Sequence, residues 1–182
     1  MELLRKKRLL LAILAPTLLM SPVTAVPPLQ PSEYALKSVF LFQFCRFMEW
    51  PDTAFSSPDQ PLTIGIIGED PFGPLLREAI AGEKYHDRPI QVEHYRTARD
   101  IRRCQLLFVS RSESGRTPEI VASVSGSSVV TIGETPQFIE QGGMIALTAD
   151  RSHVKLVMNL PVLRSTNVQV SSKLLRIADT KF

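Results

Sequence analysis

Hydrophobic positions change their rhythm several times along the chain, and each rhythm predicts an element. Over residues 34–48 apolar side chains recur at Leu36, Val39, Phe40, Phe44, Phe47 and Met48, with others between them. That density predicts a helix buried on nearly every side. Ser32 stands before it as a candidate N-cap, and Trp50 with Pro51 closes it. Residues 62–68 then form a β-rich run of buried-strand length, after which Asp70 is placed to cap, and Pro71 to open, a helix through Leu75, Leu76 and Ile80. A second strand is predicted over 89–95, with Ile90 and Val92 on one face, and a polar helical turn over 98–103 leads to a continuously apolar third strand at 104–110. A helix at 118–124, a strand at 128–132 and a short helix at 136–140 follow, and Gly142 and Gly143 supply the positive φ that ends the last.

The final third has a different pattern. Residues 144–148 and 153–160 flank Ala149-Asp150-Arg151-Ser152 at hairpin spacing, which predicts antiparallel strands. Along the second, Val154, Leu156, Met158 and Leu160 alternate with His153, Lys155, Val157 and Asn159, so one face is core and the other only partly wet. A C-terminal helix from Ser171 or Ser172 presents Leu174, Leu175 and Ile177. Together these elements predict an α/β fold: a three-layer α/β/α sandwich with a mostly parallel sheet and an antiparallel edge hairpin.

The first 25 residues lie outside this pattern. Arg5, Lys6, Lys7 and Arg8 precede an apolar run over 9–20, and small residues stand at Val23 and Ala25, the three-part layout of a secretory signal peptide. An apolar stretch of 12 residues is too short to cross a bilayer core, which needs about 20. The expected organisation is therefore a signal peptide over 1–25, an extended Pro-rich lead over 26–31 and a single domain over 32–182. The leader holds four of the 21 Lys and Arg but only Glu2 among the 18 acids, so the rest of the chain is close to neutral despite the formal charge of +3. No nucleic-acid partner is expected, and Arg99, Arg102 and Arg103 read as a solvated helical face.

Signals of catalysis are absent. The chain has no Gly-x-Ser-x-Gly elbow, no Walker loop and no Gly-x-Gly-x-x-Gly fingerprint. Its nearest approach to a phosphate cradle, Gly68-Glu69-Asp70-Pro71-Phe72-Gly73, carries two carboxylates that repel phosphate. His86, His94 and His153 lack the short paired spacings of a zinc site, so neither metal nor cofactor is expected and the chain does not read as an enzyme. The candidate ligand pocket lies instead at the carboxyl ends of the strands, around Asp70, Phe72, Ser110 and Gly133, where open α/β sheets often bind small molecules. Cys45 and Cys104 either form a disulfide, favoured by an oxidising compartment, or serve as small buried apolar residues.

The segment YALKSVFLFQFCRFMEWP, residues 34–51, closely resembles the opening of YfiR-family proteins, with its landmarks at Tyr34, Lys37, Phe40, Leu41, Glu49, Trp50 and Pro51. Further landmarks follow in order: Asp70-Pro71-Phe72-Gly73, Cys104 before LLFVS, Gly142-Gly143, Asn159 after LVM, and the closing SSKLLRIAD. The resemblance implies a periplasmic protein that binds the periplasmic sensory region of an inner-membrane diguanylate cyclase and represses it, lowering cyclic di-GMP and biofilm formation, often with an outer-membrane lipoprotein as antagonist. A homodimer is a further candidate state. Relatives often carry a Cys in the first strand able to pair with the Cys before LLFVS, whereas Gly65 occupies that stretch here. A half-dry terminal hairpin makes Val157 the candidate partner surface. The alternative function is a periplasmic small-ligand sensor.

Overall fold

The computed structural model describes residues 32–101, 104–150 and 153–181; the expected leader, the lead segment, Arg102, Arg103 and the turn residues Arg151 and Ser152 lie outside them. The first helix, α1 (Glu33–Phe47), starts where Ser32 Oγ accepts the amide N–H of Ala35 at 3.2 Å, and ends where Met48 turns extended to open β1 (Met48–Glu49). Then come β2 (Leu62–Ile67), α2 (Pro74–Ile80), β3 (Lys84–Tyr85), β4 (Arg88–Tyr95), β5 (Leu106–Val109), α3 (Thr117–Ser123), β6 (Val130–Gly133) and α4 (Pro136–Glu140). The chain closes with β7 (Ile145–Asp150), β8 (His153–Asn159), α5 (Leu160–Arg164), β9 (Gln169–Val170), α6 (Ser172–Ile177) and β10 (Asp179–Lys181).

Eight strands make one sheet in the order β10-β8-β7-β6-β5-β2-β4-β3, and β1 pairs with β9 in a separate two-stranded ribbon. The run β4-β2-β5-β6-β7 is parallel, while β8 returns antiparallel beside β7. The expected α/β class and hairpin are therefore present. Beyond the hairpin, the three residues of β10 add a parallel strand outside β8. Because the chain passes from β4 back across β2 to reach β5, the topological switch point lies between β2 and β5.

Every residue of β2, β5 and β6 is buried, which is why these strands read as unbroken apolar runs. Alternate side chains supply two cores. Leu62, Ile64, Ile66, Leu106, Phe108, Val130 and Ile132 face α1, α2, α5 and α6, through Leu41, Phe44, Leu76, Leu163 and Leu174. Ile67, Leu107 and Val109 face α3 and α4, through Ile120 and Phe138. Helices on both faces of the sheet give the three layers.

Local corrections have physical causes. The helix expected to open at Pro71 begins at Pro74, with Gly73 as its N-cap at φ +56°. Asp70 instead folds back on its own loop, accepting the amides of Phe72 at 2.8 Å and Gly73 at 3.3 Å. Leu160, assigned by alternation to the last long strand, opens α5, because Asn159 Oδ1 accepts the Val162 amide and starts a helical turn. The strands missed altogether, β1, β3, β9 and β10, have two or three residues each, too few to show a period.

Candidate functional site

The strands β2, β5 and β6 end together, and the four expected pocket residues do gather at this end of the sheet. They fill it themselves. Phe72 is buried and stands edge-on to Phe108 and Tyr34, with ring centroids 4.7 and 5.7 Å away. A Cβ at Gly133 would collide with the Phe138 ring, so glycine there admits the neighbouring side chain, which takes up the space beside it. Ser110 is buried, and its amide donates to Ile67 O at 3.1 Å. Asp70 faces His94, whose Nε2 lies 2.9 Å from Oδ2. Burial pushes the Asp70 carboxyl up, but hydrogen bonds from His94 and the two loop amides outweigh it and hold the group below its ordinary value. At the switch point itself, Ser112 Oγ accepts the Glu69 amide at 2.9 Å, so the loops after β2 and β5 meet directly.

Beside this plug lies a charge cluster assembled from residues far apart in the sequence. Lys37, fully buried on α1, donates from Nζ to Glu134 Oε1 at 2.6 Å and to Glu33 one turn back. Glu134, just beyond β6 and 4% exposed, also accepts the Arg111 amide on Oε2 at 3.2 Å. The Arg111 guanidinium reaches Glu33 at 3.4 Å. Burial, and then the neighbouring charge of Glu134, push the Tyr34 hydroxyl above its ordinary value. Two carboxylates and two cations thus neutralise one another, and no buried side-chain polar atom among the described residues lacks a partner. Breaking such a buried pair from one side costs about 3–5 kcal/mol. The legible sign was Lys37 within the apolar stretch of the helix, since a buried Lys requires an anion.

Open space lies at the opposite end of the sheet. One cleft of about 460 Å³ runs past Thr53, Gln60, Cys104, Ser128 and Asn167. A second, of about 440 Å³, is bordered by Glu49, Trp50, Phe55, Tyr85, His86 and Arg88. Trp50 is nonetheless a core residue at 6% exposure, its indole N–H donating to Ser128 O at 3.0 Å. Burial pushes the Tyr85 hydroxyl up to about 12, where it stays protonated and donates to Glu49 Oε2 at 3.1 Å.

Both cysteines are free and buried, in different cores. The sheet separates them, which removes the geometric basis for pairing Cys45 with Cys104. Burial pushes each thiol up to about 12, so neither is a thiolate at neutral pH. Gly65 leaves no room for a side chain beside Cys104. A Cβ at position 65 would lie 3.1 Å from Tyr95 Cδ2 and 3.2 Å from Cys104 Sγ, so the Tyr95 ring occupies the space beside Cys104.

Val157, expected on a partner surface, is also buried. At 8% exposure it packs with Ile139 and Ala146, because α4 covers that face of the hairpin. The exposed large hydrophobic residues among those described are Val39 on α1, at 49%, and Ile177 on α6, at 64%. No helix among the described residues is long and apolar enough to cross a membrane, and no group of three or more His, Cys, Asp or Glu among them is placed to hold a metal ion.

No curated protein matches the chain. Among solved structures, the ABC domain in complex with L-Trp from Streptococcus pneumonia has a TM-score of 0.52 at 14% identity, covering 80% of this chain and 59% of its own. A conserved domain protein from Vibrio cholerae O1 biovar El Tor has a TM-score of 0.49 at 11% identity, covering 65% of this chain and 54% of its own. This chain thus spans less than two thirds of either structure, and the first likeness concerns the fold alone. The YfiR/HmsC-like family model matches residues 34–179, so the chain belongs to the YfiR/HmsC-like family, a family of regulatory, non-catalytic periplasmic proteins tied to cyclic di-GMP signalling.

Proposed function

We propose that this chain binds the periplasmic sensory region of an inner-membrane diguanylate cyclase and holds the enzyme in its inactive state. The supporting observation is the family match across residues 34–179. The packing at the carboxyl end of the strands agrees with it, since Phe72, Phe138 and the Lys37–Glu134 pair fill the place where open sheets commonly bind small molecules. A protein confined to the periplasm reaches a cytoplasmic catalytic domain only by biasing the enzyme's conformational equilibrium across the membrane. Its leverage equals its differential affinity for the two states, and about 100-fold inhibition requires about 2.7 kcal/mol. An interface of ordinary size supplies that much. An outer-membrane lipoprotein that competes for the same protein would act as antagonist by lowering its free concentration.

Deleting the protein should raise cyclic di-GMP and biofilm formation, and the rise should vanish when the cyclase is deleted as well. Unchanged cyclic di-GMP in a strain that expresses the cyclase would reject the repressor reading. The small-ligand sensor is the second reading, and the clefts at the amino ends of the strands favour it over any site at the carboxyl ends. Thermal stabilisation by small metabolites, lost on enlarging Ser128 to Trp, is the measurement that would promote it.

A further inference from the structure

One surface combines exposed apolar side chains with cations that have no anionic partner. Val39, Phe42 and Arg46 recur at helical spacing along one face of α1, and the Arg46 guanidinium lies 5.8 Å from the Phe42 ring centroid. The chain then runs through β1, and the β9 ribbon returns beside it, where the Ser171 amide donates to Phe47 O at 2.9 Å. This contact sets the start of α6 next to the end of α1. Between them lies a cleft of about 370 Å³, with Arg46 and Lys173 on its walls and Phe47 and Val170 contributing apolar surface. Lys173, Arg176 and Ile177 share the next turn of α6, and all three are exposed. None of Arg46, Lys173 or Arg176 pairs with a carboxylate among the described residues. Glu49 also borders the cleft, but its Oε2 is engaged by Tyr85 and His86.

We propose that this α1–α6 surface docks an acidic segment of a protein partner, one that offers carboxylates to Arg46, Lys173 and Arg176 and apolar side chains to Val39 and Ile177. Resting on the function proposed above, that segment belongs to the periplasmic region of the repressed cyclase. The charges select among possible occupants. A second copy docked two-fold through this face would set one cationic patch against another, a repulsive arrangement. A lipid surface would require a broad cationic face around its apolar anchor, whereas Arg46 and Lys173 flank a concave cleft that suits inserted side chains.

The test has two stages that fail separately. Cyclic di-GMP in the deletion strain, with and without the cyclase gene, first decides whether the chain represses the enzyme at all. The mature chain and its Arg46→Glu/Lys173→Glu variant are then titrated against the purified periplasmic region of that cyclase by calorimetry, at two salt concentrations. Arg77→Glu, a single charge reversal at an exposed position of α2, serves as control, and thermal unfolding checks each fold. The expected result is affinity reduced at least tenfold by the double reversal and left within twofold by Arg77→Glu, with most of the salt dependence gone. Unchanged affinity of the double variant, in a strain background where repression is established, overturns the surface while leaving the repressor function standing. Sedimentation with phosphatidylglycerol vesicles that depends on the same two cations, without any loss of cyclase affinity, overturns it as well.

Discussion

The carboxyl end of the sheet and the α1–α6 surface treat charge in opposite ways. At the first, Lys37, Glu33, Glu134 and Arg111 satisfy one another around a plug of Phe72 and Phe108. On the second, Arg46, Lys173 and Arg176 stand in solvent beside Val39 and Ile177. Open α/β sheets commonly bind small molecules at their strand ends. Here that place is committed to holding α1 against the sheet, so the same helix that closes one site carries the outward face of the other. Fold analogy alone would point to the carboxyl end of the sheet, whereas the proposed docking surface lies elsewhere on the same helix.

The comparison breaks most directly at Lys37. Changing Lys37 to Ala leaves Glu134 buried without its nearest cation, and stability should fall by about 3–5 kcal/mol in urea unfolding. Joint replacement by Lys37→Met and Glu134→Leu should recover most of the loss, because two apolar side chains of similar volume need no counter-charge. A single variant within about 1 kcal/mol of the parent would mean that water reaches the pair and that the end is not closed.

A smaller effect is expected at Gly65. A methyl there meets the Tyr95 ring and Cys104 Sγ, and overpacking of this kind costs about 1–3 kcal/mol. Gly65→Ala made together with Tyr95→Ala should cost less than the sum of the two single changes, since removing the ring vacates the space that the methyl needs. Strict additivity would show that the strand shifts to accommodate the methyl and that Tyr95 is not what fills the gap.

How much of this was legible follows the range of the interactions. The parallel strands declared themselves because β2, β5 and β6 are buried on both faces and so read as unbroken apolar runs. The meeting of Asp70, Phe72, Ser110 and Gly133 followed from the topology, but their occupation of the space did not, because it depends on the rotamers of Phe72 and Phe138. Lys37 and Glu134 are 97 residues apart, and no local pattern pairs them. Val157 was misplaced for a similar reason: alternation correctly puts it on the face opposite Leu156 and Met158, yet cannot show that α4 covers that face. The α1–α6 surface depends on the two-residue β1–β9 ribbon, below the length at which period carries information.

Acid should weaken the carboxyl end while leaving the surface unaffected. Asp70 is held below its ordinary value in the fold, so its contribution is fully present above the unfolded carboxyl value near 4 and is lost as pH falls through the lower folded one. Comparing the parent with Asp70→Asn, the stability difference should be largest above about pH 5 and shrink toward pH 3, staying within about 1 kcal/mol throughout for a partly solvated group. A difference that instead grows on acidification would mean that the protonated carboxyl is the form the loop prefers.

The smallest effect on stability, and the sharpest contrast, is expected at Ile177. Its side chain is 64% exposed on the last turn of α6, so replacement by Ser removes little buried apolar area and should leave unfolding within about 0.5 kcal/mol of the parent. Yet if the α1–α6 surface recognises the cyclase, that change removes an apolar contact that becomes buried only in the complex, and repression in cells should weaken at unchanged protein abundance. Lys37→Ala should do the reverse, losing repression only in proportion to the folded protein lost. Quantitative immunoblotting beside cyclic di-GMP measurement separates the two outcomes. Full repression by Ile177→Ser at parental abundance would show that α6 stands outside the contact, and would restrict recognition to the Val39–Arg46 face of α1.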